Sequence, residues 1–441
     1  MTADISSGEK TSDTRKDAKR PASPLSALTI SRDFSILLAS VAVVALGFGI
    51  LTPIIPKFAV ENLDMSEAQI GFVYSLFAIT FALFMLPAGY YADKIGRKPL
   101  IISGILIFAV TTLALAFITD MYQFALLRAI EGIGAAMVTP AAFALTVDLV
   151  PESKRGIAMG AEGTAQLLGG LGGPGLGGLL AGQVGFYYPF YVAAALAVAC
   201  AILTAFIRPP AVKATEKKPS MFSMFQSWKR NAAQNRALWA VTSRGFVMGI
   251  VQGLWNLGLI LFWYDRLGMT ETELGLALSL GMLVMVLGTI PFGAMSDRFG
   301  RRPFMILGGT IMVLGLGLNV FVTDVWQVFV LVSFSEFGAA MSNPSVGAML
   351  ADVMLKEERG RVMGAYQMIQ GFGNIIGFSL LGWAYVAISP EAPIIMCTFA
   401  LAVATAIIVA FVRETHKAPE VASSPQSTAT VADCAPTVEE R

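Results

Sequence analysis

Residues 89–99 read GYYADKIGRKP, and residues 293–303 read GAMSDRFGRRP. Both fit one pattern, G-x-x-x-D-x-x-G-R-[KR]-P, and each sits between two long apolar runs. Asp297 lies 204 positions after Asp93. A second, unrelated pattern repeats at the same offset: Asp148 is followed by Arg155-Gly156, and Asp352 by Arg359-Gly360. One shared offset for two patterns marks the chain as a tandem duplication, with about half its length in each copy.

Composition places both copies in a membrane. Only 14% of the 441 residues are charged, 55% are hydrophobic, and the mean hydropathy is +0.68. A soluble domain of that composition would expose large adhesive patches. The net charge of +1 gives no bias toward nucleic acid. The lone histidine, His416, and the scattered Cys200, Cys397 and Cys434 offer no metal-ligand spacing and no disulfide framework. No cofactor or metal is expected. Residues 1–33 lack the apolar core of a signal peptide and read as a polar tail.

A membrane-spanning helix needs about 20 mostly apolar residues. Twelve segments qualify: 35–57, 69–91, 100–118, 122–147, 157–180, 186–207, 238–263, 273–295, 304–322, 326–350, 361–387 and 392–412. They predict an all-α membrane protein with a tail at 1–34, a six-helix bundle at 35–207 and a linker at 208–237. A second six-helix bundle follows at 238–413, then a tail at 414–441. Nearly all the Lys and Arg fall on one side, with the tails and linker; the other side carries Lys57 and Arg266. By the positive-inside rule the basic side is cytoplasmic and holds both termini. The linker predicts a short interfacial helix near 222–230.

The eleven-residue pattern resembles the loops between helices 2 and 3 and between helices 8 and 9 of the major facilitator superfamily. The resemblance implies two bundles related by a pseudo-two-fold axis, with a substrate site between them near the midplane. It also implies a latch of Asp93, Arg97 and Asp148, repeated as Asp297, Arg301 and Asp352. In that latch the first Asp caps a neighbouring helix end and the Arg pairs with the second Asp, a pair expected to break as the halves rock apart.

Three further stretches bear on function. Arg128-Ala-Ile-Glu131-Gly-Ile-Gly resembles the superfamily's fourth-helix motif, with Glu where Gln is usual. Arg128 and Glu131 share a helix face, either as a self-neutralising structural pair or as a proton-exchanging acid tuned by its arginine. Gly169-x-x-x-Gly173-Pro174-x-x-Gly177-Gly178 resembles the signature of proton-driven exporters, where a bland reading is close helix packing with a kink. The matching stretch of the second half, Gly373 to Gly377, has no proline. Leu46-Gly47 and Pro53-Ile-Ile-Pro56 resemble the first-helix motif of the twelve-helix drug exporters.

Glu162 reads either as an acid snorkelling to the interface or as a second proton site, and Glu336 as a proton carrier or a partner for a cationic substrate. Arg244 reads as an edge anchor. Gln166, Gln252, Trp255, Asn256, Phe337, Tyr366, Gln370 and Asn374 are expected on the cavity wall, where aromatic faces hold lipophilic cations. The resulting expectation is a proton-coupled exporter of small amphipathic compounds, similar to the drug:proton antiporters. Its partners are protons, a small-molecule substrate and the lipid bilayer, without nucleic acid, and it works as a monomer. The alternative on the same fold is a proton-coupled importer of a sugar, organic acid or peptide. No nucleophile–base constellation or phosphate loop points to an enzyme.

Overall fold

The computed structural model describes residues 31–151, 154–208, 221–354 and 359–412. Residues 1–30 of the expected N-terminal tail and all of the C-terminal tail thus lie outside it, as do part of the linker and the Asp93 side chain, while the end of the expected 1–34 tail is already helical from Arg32. Every regular element in the described residues is helical. The first half holds α1 (Arg32–Leu51), α2 (Ile54–Leu63), α3 (Glu67–Ile95), α4 (Arg97–Leu115), α5 (Met121–Leu149), α6 (Arg155–Leu179) and α7 (Tyr188–Ala205). After α8 (Met221–Gln234), the second half holds α9 (Arg236–Gly253), α10 (Leu259–Leu267), α11 (Glu271–Phe299), α12 (Arg301–Gly317), α13 (Val325–Asp352), α14 (Arg359–Ala387) and α15 (Ala392–Phe411).

Among the described residues, ten rods are long and apolar enough to cross a membrane. Three of them are compound: a 3-10 turn over Leu318–Phe321 extends α12, and two others are joined at breaks. Pro53 and Pro56 interrupt the first between α1 and α2, because proline lacks the N–H that an interior turn needs. A π-helical turn over Leu254–Gly258 joins α9 to α10. α6 and α14 occupy the fifth and eleventh expected places; their glycine and polar residues dilute the apolar signal.

The sequence repeat is visible in local structure. Ser66 and Thr270, 204 apart, each form a capping box, with Gln69 and Glu273 respectively. Gly96 and Gly300 take φ of 98° and 99°. A side chain there would be strained, so the glycine of each GR[KR]P turn is a backbone requirement. It reverses the chain between α3 and α4, and again between α11 and α12.

Packing repeats as well. In the first bundle α1 lies on α6, and α5 on both α3 and α4; in the second, α9 lies on α14, and α13 on both α11 and α12. Glycines allow these approaches: Gly173 meets Gly49 of α1, and its equivalent Gly377 meets Ile250 of α9. The bundles touch each other along two seams, α3 with α14 and α6 with α11. The expected linker helix is present as α8, somewhat longer than predicted, and it packs on α14 and α9. Trp228 of α8 donates to the Thr242 hydroxyl at 3.1 Å, tying the helix to the second bundle.

Candidate functional site

Among the described residues, the hydrogen bonds and ion pairs that cross between the bundles gather toward the end bearing Lys57. On α11, the Ser279 hydroxyl donates to the Leu171 carbonyl at 2.8 Å and accepts from the Gly175 N–H at 2.8 Å. It bridges an i, i+4 backbone pair of α6 beside Pro174. At the equivalent position 204 residues earlier, Ser75 of α3 donates to the Ile375 carbonyl at 3.1 Å and contacts the Ser379 hydroxyl at 2.7 Å. Each bundle thus reaches into the other's kinked or glycine-rich helix with one serine.

The Gly-Pro stretch divides its glycines between two partners. Gly173 and Gly177 face Gly49 and Ile50 of α1, inside their own bundle. Gly178 faces the Glu271 backbone and Gly275 of α11, across the seam. Gly169 packs on Ala42 of α1.

Above this seal Lys57 binds Glu271 at 2.5 Å, an ion pair between bundles whose side chains are 19% and 16% exposed. Lys57 also lies 3.6 Å from Glu61 and 5.0 Å from the Tyr264 ring centre. The Tyr264 hydroxyl donates to the Pro53 carbonyl at 3.0 Å, again across the bundles. The repeat equivalent of Lys57 is Leu261, so this lock exists once. A hydrogen bond to a charged group contributes about 1.5–3 kcal/mol. Lys57→Met is therefore expected to raise the population open at this end roughly tenfold, since about 1.4 kcal/mol is tenfold. A cysteine at Asn256 should then react faster with an impermeant thiol reagent applied from the Lys57 side; an unchanged rate would show that the pair is not a lock.

Four of the expected charged residues lie within the spans. Arg128 Nη1 donates to Glu131 Oε2 at 2.8 Å; the two are 8% and 1% exposed. The guanidinium stacks over Tyr74 at 4.7 Å and Phe77 at 4.8 Å, both on α3. Tyr74 in turn packs against Phe378 of α14 at 5.2 Å, so the pair adjoins a cross-bundle seam. Glu162 is wholly buried, and neither carboxylate oxygen makes a hydrogen bond. It does not snorkel. Thr146 of α5 is a polar side-chain neighbour. Glu336 is half-buried and accepts from Trp255 Nε1 at 3.0 Å. Trp255 stands in the π-helical turn, where the extra residue re-aims side chains.

Both latch ion pairs are formed at the basic end. Arg97 pairs with Asp148 and also donates to the Ala144 carbonyl. Arg301 pairs with Asp297 and, at 3.4 Å, with Asp352. Each Arg–Asp pair lies within one bundle, so a rigid rocking of bundles leaves it intact. Asp297 is held by Arg301 one turn away. The next basic residue of each motif acts elsewhere. Lys98 donates to the Ala205 carbonyl at 2.5 Å and Arg302 to the Val409 carbonyl at 2.7 Å. They cap the ends of α7 and α15, where free carbonyls attract cations.

A profile of the Major Facilitator Superfamily matches residues 37–264 and 245–436. The chain belongs to this superfamily. Among curated members, it is 26% identical to multidrug resistance protein 2 of Bacillus subtilis (strain 168) over 79% of this chain and 88% of that protein. It is 26% identical to the quinolone resistance protein NorA of Staphylococcus aureus (strain COL) over 88% of this chain and 98% of the relative. Among solved structures, a D-xylose-proton symporter superposes with a TM-score of 0.69 at 16% identity, covering 86% of this chain and 98% of that one. That last likeness establishes the fold alone.

The other predicted residues lie on α6, α9, the π-helical turn after α9, α13 and α14. Gln166 of α6 and Gln252 of α9 are exposed, and Trp255, Asn256, Gln370 and Asn374 are half-buried. Phe337 is exposed and lies edge-on to Phe292 of α11, in the α11–α13 contact. Tyr366, one turn before Gln370 on α14, lies against Gly245 of α9.

Two features escape a reading of the sequence. Lys57–Glu271 joins residues 214 apart with no motif to mark them. Arg244, expected at the membrane edge, is 2% exposed and lies inside the second bundle. Its place in the middle of an apolar run, about 12 Å into α9 at about 1.5 Å per residue, is the available signal.

Proposed function

We propose that this superfamily member is a proton-coupled exporter of small amphipathic compounds, working by alternating access and held here closed at the Lys57 end. The observation that carries this reading is the Gly169–Gly178 stretch. Its glycines bind α6 to α1 on one side and to α11 on the other, so the exporter-like motif is itself the pivot between bundles. The positive-inside rule makes the closed end extracellular, which corresponds to an inward-open state with both termini cytoplasmic. The resistance-protein names of the curated relatives support export of drug-like compounds.

Proton exchange is best assigned to Glu336. Its partner is a neutral indole N–H, so its charge is not already matched, and it is half-buried. Glu131 already has its counter-charge in Arg128. Glu162 serves as a second interior acid. Substrate binds between the bundles at the residues around Trp255, and the Asp–Arg motifs hold each bundle's basic end rigid. The protein acts as a monomer in the cell membrane.

Everted vesicles with an acidified interior test this reading, with a pH-sensitive dye reporting the gradient. Lipophilic cations, neutral drugs and sugars are added in turn. The expected result is gradient collapse that needs both the protein and an amphipathic compound. Collapse with sugars alone would replace this reading with sugar transport, and silence across the panel would sink drug-type antiport.

A further inference from the structure

The interior of the second bundle holds a cation that the proposed transport cycle does not use. Arg244 is 2% exposed, and its Nη2 donates to Ser342 Oγ of α13 at 2.7 Å, with Met312 Sδ of α12 at 4.0 Å. Its Nε is buried without a hydrogen bond. Tyr366 of α14 lies alongside, its ring and hydroxyl against Gly245. Among the described residues no carboxylate pairs with Arg244. A buried charge without a partner is strongly disfavoured, and its burial is offset only when an opposite charge arrives.

The fold itself does not demand an arginine here. The repeat equivalent of Arg244 is Ser40, equally buried, which is satisfied by neutral groups: Thr204 bonds its hydroxyl at 3.1 Å and Cys200 its carbonyl at 3.3 Å. The equivalents of Ser342, Met312 and Tyr366 are Val138, Phe108 and Glu162. The two hydroxyl-bearing neighbours of the cation are therefore private to the second bundle. Guanidinium, with five donors in a planar fork, matches a carboxylate better than any other side chain does. Tyr366 is half-buried, so the cluster reaches the bundle surface there.

We propose that Arg244, Ser342 and Tyr366 form an anion subsite that takes the carboxylate of an amphipathic substrate. The subsite deepens the exporter reading, and its occupant is a transported substrate only if that reading holds. Ser342 lies six residues from Glu336 on α13, about 9 Å along the helix.

The test is equilibrium binding to purified full-length protein with three matched probes: 2-naphthoate, 2-naphthamide and 2-naphthylmethylammonium. Wild type is expected to bind naphthoate at least tenfold more tightly than the amide. Arg244→Gln should erase that preference and leave ammonium binding within twofold, with Arg244→Lys intermediate. No preference for naphthoate in the wild type overturns the proposal, as does an equal loss of all three probes in the glutamine variant. Should Arg244→Gln not fold, Ser342→Ala and Arg244→Lys decide: selective weakening of naphthoate supports the subsite, and uniform weakening or none rejects it. Binding needs no gradient, so a naphthoate preference without a dye response in vesicles would sink the export reading and leave the subsite standing.

Discussion

Glu336→Gln is expected to reduce proton-driven efflux at least tenfold while leaving the protein folded and able to exchange substrate down its own gradient. Glutamine keeps the shape of glutamate and can still accept the Trp255 N–H, which now lies 3.0 Å from Glu336 Oε1. Gly281 leaves room for the side chain at the α11 contact, and glutamine adds no bulk there. What it cannot do is gain and lose a proton. The decisive comparison is between two assays on one preparation, dye-reported gradient collapse and substrate counterflow. Loss of the first with retention of the second places the exchanging proton on Glu336. Wild-type rates in both assays would remove it from that residue.

Glu131→Gln should behave differently, although the fourth-helix motif makes Glu131 the first choice from sequence. Its removal leaves Arg128 buried without a counter-charge, and breaking one partner of a buried pair costs about 3–5 kcal/mol. The expected signature is a fall in melting temperature together with losses in both assays. Rescue of stability by the double change Arg128→Gln with Glu131→Gln would show that the pair is structural.

Much of the architecture is legible because it is written twice. Asp93 and Asp297, Gly96 and Gly300, and the glycines of α6 and α14 share one offset. That offset also pairs Ser75 with Ser279, whose cross-bundle bonds the motifs do not reveal. The spans follow from apolar length alone, and Glu131, Glu162 and Glu336 stand out because a charge inside such a run is conspicuous. What stays hidden is direction. Periodicity does not say that Glu162 turns fully inward rather than toward the interface, nor that Arg244 points at Ser342. The Lys57–Glu271 lock depends on how two bundles approach, and no local pattern encodes a contact between residues 214 apart. The latch motif pairs each Arg with its Asp, and the expected spans already place both partners of each pair inside one bundle.

Gly177→Ala and Gly178→Ala, at neighbouring positions, are expected to fail in opposite ways. A Cβ at Gly177 collides with the Ile50 carbonyl of α1, and α1 and α6 pack within one bundle, the unit that alternating access rocks largely as a rigid body. The collision is present in every state of the cycle. Overpacking against backbone costs about 1–3 kcal/mol, so this variant should melt earlier, with its conformational balance unchanged. A Cβ at Gly178 collides instead with the Glu271 carbonyl and crowds Gly275, both on α11 of the other bundle. That collision exists only while the Lys57 end is closed. The same cost, about 2 kcal/mol, would then move the closed-to-open ratio roughly 30-fold. Gly178→Ala should keep near-normal melting yet expose a cysteine at Asn256 to an impermeant reagent from the Lys57 side. It should also slow turnover, because the seal that Ser279 and Lys57 complete can no longer form. If the two variants shift melting and accessibility alike, the division of this helix between a fixed face and a moving face is wrong. The exporter-like motif would then be a packing device with no part in the switch.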